Sequence, residues 1–127
     1  MNIIYIFLGG GLGAIMRYII NEYTTTILIK YTKLVFPFGT FTANIIGSLL
    51  IGIAFGIFQD GIENNKSLEL FIMVGLLGGF TTFSSFSLEI YNMIQAREYL
   101  ISLVYIVSSI LIALIFTFLG VKISSFF

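Results

Sequence analysis

Phe83 and Phe86 stand three residues apart, with Ser84 and Ser85 between them and Thr81 and Thr82 just before. On a helix the two rings are i, i+3 neighbours. An aromatic ring has a negative face and a positive edge, so faces attract cations and edges can attract a small anion. Hydroxyls at the same place add hydrogen-bond donors without fixed charge. The chemistry open to this group is non-covalent: holding and passing an ion. Gly78 and Gly79 come just ahead of it, and a glycine pair in an apolar segment invites the helix to break. A break around Gly78–Thr82 strips carbonyls of their intrahelical partners. Side chains, water or a cation must then satisfy them.

Polar stripes recur along the chain. Thr40, Asn44 and Ser48 follow one another at i, i+4 and so share one helical face. Asn44 is the strongest member. Its amide either ties two helices together or donates N–H to an anion. Tyr105 and Ser109, followed by Ala113 and Thr117, repeat the spacing, as do Gly9, Gly13, Arg17 and Asn21. Arg17 lies too deep in apolar sequence for an ordinary loop charge. Its guanidinium either snorkels to the interface, caps carbonyls or draws anions into a vestibule. Glu89, six residues beyond Phe83, reads as a vestibule or interfacial group. A proton-coupling role would need ionisable partners.

The elements that carry these residues follow from composition. Of the 127 residues, 58% are hydrophobic and 9% charged, where soluble domains carry about 25% charged residues. The solvent is lipid. Cys and His are absent, which removes thiol chemistry, imidazole bases and nearly all transition-metal sites. The net charge is zero and argues against nucleic acid as a partner. No two carboxylates form a convincing catalytic pair, so the chain does not read as an enzyme. The N-terminus lacks a basic leader and a cleavage site and reads as retained.

Apolar runs of about 20 residues are membrane helices, and four are predicted in one domain, 1–127. They cover about 3–24, 37–58, 68–96 with a break near 78–82, and 99–121. The expected class is an all-α, multi-pass protein of the cell membrane. Lys30, Lys33 and Arg97 fall on one side, and Lys66 and Lys122 on the other; Asp60, Glu63 and Glu98 sit in the same connections. Two against three is hardly a positive-inside bias. The sequence is either a small protein with a weak signal or one that inserts in both orientations. Small residues at four-residue spacing, among them Gly9 and Gly13, then Ser48, Gly52 and Gly56, read as packing faces.

Together these residues resemble the Fluc/CrcB family of fluoride channels, nearly end to end. Gly9-Gly10-Gly11-Leu12-Gly13-Ala14-Ile15-Met16-Arg17-Tyr18 is similar to the family's G-G-x-x-G-A-x-x-R-Y. Gly39, Thr40, Asn44 and Gly47 resemble its G-T-x-x-x-N-x-x-G. The segment from Gly75 to Phe86 resembles its G-F-x-G-G-x-T-T-F-S-T-F, with Leu76 in place of Phe and Ser85 in place of Thr.

The resemblance implies an antiparallel, dual-topology homodimer with two fluoride pathways at its interface. It implies that Phe83 and Phe86 turn their ring edges to fluoride, with Ser84 and Ser85 between them. Asn44 and Thr40 would join the path, as would Tyr105 and Ser109, and Arg17 would attract anions at the mouth. The carbonyls of Gly78 and Thr81 from both subunits would hold a structural sodium ion. Two rivals remain on residues alone. A small proton-coupled, dual-topology drug exporter needs a deep carboxylate, which the first helix lacks. A non-transporting membrane assembly subunit leaves the polar stripes without a use.

Overall fold

Four segments are long and apolar enough to cross a membrane: Asn2–Leu28, Phe38–Gln59, Lys66–Gln95 and Tyr99–Ser124. They belong to a computed structural model that describes residues 2–32, 35–59, 61 and 64–126. Lys33, Asp60 and Glu63, expected in the connections, lie outside the described residues. Every regular element among those described is helical. Large apolar side chains such as Ile3, Phe7 and Phe118 point outward, as side chains facing lipid do.

Helix α1 covers Asn2–Thr32, well past the boundary expected near residue 24. Its 31 residues give about 46 Å at 1.5 Å per residue, against a hydrocarbon core of about 30 Å. Nothing in Thr24–Thr32 stops a helix: glycine and proline are absent from it. Polarity marks where the membrane ends and does not by itself end the helix. Helix α2 covers Phe38–Gln59. Its first turn is set by Pro37, whose carbonyl accepts from the Phe41 N–H at 3.1 Å, a position where the missing proline N–H costs little.

The third span is built in pieces. Asn65 caps α3 (Lys66–Glu69), its Oδ1 accepting from the N–H groups of Ser67 and Leu68. A π-helical stretch, Leu70–Leu77, follows, then one turn, α4 (Gly78–Phe80). After a two-residue break comes α5 (Phe83–Gln95). Its C-terminus closes in a Schellman motif: Glu98 N–H bonds Met93 O and Arg97 N–H bonds Ile94 O. Arg97 takes a left-handed φ of 62° there, where glycine is usual. Helix α6 covers Tyr99–Ser124.

The small-residue faces are used inside the chain. Gly9 and Gly13 of α1 lie against the backbone of Gly75, Leu76 and Phe80, and Gly79 lies against Gly10. Gly52 of α2 lies against Gly120 and Thr117 of α6, and Gly56 lies against Ser124. In each set the residue numbers rise together, so α1 runs parallel to the third span and α2 parallel to α6. Parallel neighbours can pack this closely only where no Cβ intervenes, the usual way membrane helices associate. A Cβ at Gly120 would meet Leu49 O and Ile53 N. Gly120→Ala is expected to force α2 from α6 and cost about 1–3 kcal/mol, as overpacking does. Thermal unfolding in detergent checks this; an unshifted midpoint would mean the helices do not meet there.

Candidate functional site

The break falls at Thr81 and Thr82, whose backbones are extended (φ −84°, ψ 156° and φ −150°, ψ 120°). The glycine pair was expected to supply it and does not. Gly78 is helical at φ −64°, ψ −38°, and Gly79 is kept small by contact with Gly10. Two polar side chains hold the irregular backbone. Asn44 pairs with Thr82 at both ends of its amide: Oδ1 accepts from the Thr82 N–H at 2.8 Å and Nδ2 donates to Thr82 O at 3.1 Å. Arg17 Nε donates to Gly79 O at 3.2 Å. This contact is the carbonyl cap, one of the readings open for Arg17.

Thr82 then starts α5, its Oγ1 accepting from the Ser85 N–H at 3.2 Å, a standard N-cap. The break leaves the carbonyls of Gly78–Thr81 without their helical donors, and Arg17 answers Gly79 O. The Thr82 N–H that would bond Gly78 O goes to Asn44, and the Ser85 N–H that would bond Thr81 O goes to the Thr82 side chain. Hard oxygen ligands of this kind suit a small alkali or alkaline-earth cation. Gly78 O and Thr81 O are ligands of the kind that the sodium ion implied by the resemblance would take.

Around the break lies a groove of about 350 Å³. Its polar lining comes from Asn44, Ser48, Thr81, Thr82 and Ser109, its aromatic lining from Phe83 and Phe86. Among the described residues none that lines it is charged. The two ring centroids are 5.6 Å apart. Phe86 is buried against Tyr105, at 5.0 Å between centroids, while Phe83 is 77% exposed. Ser109 is buried and its hydroxyl has no partner. Ala113, one turn on, also lines the groove.

Not every expected site residue reaches it. Ser84 and Ser85 stand beside it, their hydroxyls within 3.2 Å and 3.1 Å of Thr82 Oγ1. Thr40 and Tyr105 are fully buried and converge elsewhere, on Glu89. Thr40 Oγ1 donates to Glu89 Oε1 at 2.6 Å, and the Tyr105 hydroxyl donates to Oε2 at 2.7 Å. Glu89 is thus no loose interfacial charge; hydroxyls from α2 and α6 clamp it. Its spacing carried a faint signal, since Phe86 and Glu89 are i, i+3 neighbours on α5 and Phe86 packs on Tyr105.

The family model described as "CrcB-like protein, Camphor Resistance (CrcB)" matches residues 4–121. The chain belongs to the CrcB family. Its relatives include the "Fluoride-specific ion channel FluC" of Flavobacterium psychrophilum, 42% identical over 123 residues, which covers 97% of this chain and 96% of the relative. Proteins of the same name from Hahella chejuensis and Bacteroides fragilis are 36% and 40% identical. They cover 97% and 94% of this chain, and 94% and 92% of their own lengths. These CrcB relatives are bacterial and are named as channels, not enzymes. With four membrane-capable helices, this CrcB chain is a multi-pass membrane protein.

Proposed function

We propose that this protein is a passive, fluoride-selective channel that lets fluoride leave the cell and so relieves its toxicity. The groove is the observation that carries the reading. Ring edges and neutral hydrogen-bond donors share it, and among the described residues its lining has no charged side chain. Fluoride is small and tightly hydrated, and such a path replaces its water shell in pieces. Several weak ligands also let the ion leave as readily as it arrives, which one strong cationic site would not. The names of the relatives support the same ion. HF that crosses the membrane and dissociates inside would trap fluoride in the cell, so a passive route for the anion is enough for export.

The working unit in this reading is a homodimer with one copy inverted, carrying two pathways at its interface. The exposed Phe83 ring beside the groove and the near-equal basic charge on the two sides support it. Phe83, Phe86, Asn44 and Ser109 line each path, with Ser84 and Ser85 next to the rings. Thr40, Tyr105 and Glu89 form a polar cluster at one end of it, and Arg17 braces the break while drawing anions towards the mouth. Gly78 and Thr81 carbonyls from both copies would hold a structural sodium ion, which supplies a fixed positive charge between the subunits when bound.

The test is fluoride efflux from proteoliposomes loaded with fluoride or chloride, with no proton gradient. Fluoride is expected to leave and chloride to stay. An intact dimer that releases no fluoride sinks the channel reading; efflux only against a proton gradient would point to the exporter instead.

A further inference from the structure

We infer that Ser48 is a donor to the permeant anion, one helical turn deeper along α2 than Asn44. The inference rests on the channel reading above and comes from an inventory of hydrogen-bond donors in the groove. An anion needs protons pointed at it, and two of the five polar side chains lining the groove, Thr81 and Thr82, have spent theirs. Thr81 Oγ1 donates to Leu77 O at 3.0 Å. Thr82 Oγ1 donates to Ser85 Oγ at 3.1 Å. Asn44 gives one amide proton to Thr82 O and keeps one. Ser109 Oγ has no partner. Ser48 is half-buried and lines the same groove, and its hydroxyl makes no hydrogen bond among the described residues.

Serine and threonine in membrane helices commonly bond back to their own backbone. Thr117 does so to Ala113 O at 3.0 Å, and Ser124 to Val121 O at 2.6 Å. Ser48 and Ser109 do not, and both line the groove. Beyond Ser109 helix α6 offers only the methyl group of Ala113 to it, with Ile110 beside, and Ile51 follows Ser48 on α2. Ser48 therefore brings a free donor to a stretch that is otherwise apolar. Its Cα lies about 6 Å along the helix from that of Asn44 at 1.5 Å per residue, a short step for an ion passed between weak sites.

The experiment compares initial fluoride efflux from proteoliposomes of the wild type, Ser48→Ala, and Ser48→Ala with Ala113→Ser. Ser48→Ala is expected to slow efflux by about tenfold, the loss of one hydrogen bond to a charged group. Adding Ala113→Ser, which returns a hydroxyl to the groove, is expected to recover at least half of that loss. A Ser48→Ala rate equal to wild type overturns the assignment. So does a loss that the added hydroxyl leaves untouched, which would mark Ser48 as a packing residue. Should Ser48→Ala fail to fold, the single Ala113→Ser variant decides: a faster rate supports the donor inventory and an unchanged one overturns it. A wild type that releases no fluoride overturns the channel reading itself, and Ser48 with it. A conducting wild type with an indifferent Ser48 overturns Ser48 alone.

Discussion

Phe83→Ile is expected to cut fluoride efflux from proteoliposomes by about tenfold or more, with little change in folding. Both halves follow from where the ring sits. At 77% exposure it contributes little to the subunit's own packing beyond its pair with Phe86 at 5.6 Å. An Ile side chain fills much of the same space but has no positive edge. Ion–ring attraction at a desolvated site is worth about 2 kcal/mol for a cation on a ring face, and the edge offers an anion an interaction of the same kind. Phe86→Ile should slow efflux as well, but that change also removes the contact with Tyr105 at 5.0 Å, so part of its effect is structural. Phe83→Ile is the cleaner test. Wild-type efflux from a well-folded Phe83→Ile protein would remove ring edges from the mechanism.

Asn44→Ala is expected to lower the thermal midpoint in detergent by roughly 10 °C, a loss of about 2–3 kcal/mol in a chain of this size. Among the described residues the amide of Asn44 is the partner of the Thr82 N–H, and it also engages Thr82 O. Removing it leaves a donor without a partner and an acceptor weakened, each unpaired buried group costing about 1–3 kcal/mol and more at membrane depth, where water is scarce. Efflux should fall too, because α5 carries both rings and starts at Thr82. A midpoint that does not move would mean that the break is held by something other than this amide.

These two expectations separate roles that the sequence left joined. Asn44 read equally as a helix–helix tie and as an anion donor. The fold commits both ends of its amide to Thr82 and leaves one N–H over, because the break occurs where α2 passes. Arg17 was open between three uses, and its bond to Gly79 O makes the carbonyl cap one of them. Glu89 read as a vestibule or interfacial group because its partners, Thr40 and Tyr105, are 49 and 16 residues away. No local pattern announces a contact of that kind.

Much was determined by the sequence itself. Apolar runs, a charge content of 9% and the absence of Cys and His give four membrane helices and exclude most chemistry, since lipid requires every backbone group to be paired within a helix. The glycine spacing foretells close packing because a missing Cβ is a local property. The same holds for a weakness in the third span, expected near 78–82 and found at Thr81 and Thr82, though not for the residues that make it. Gly78 and Gly79 looked like the hinge, yet Gly78 stays helical and Gly79 is small where α1 approaches at Gly10, while Thr81 and Thr82 open because Asn44 offers the backbone a better partner than the next helical turn. Which donors are spent and which remain free was likewise a decision of tertiary structure. Hydrogen bonds between helices depend on which faces meet, and that is settled only when all four spans pack together.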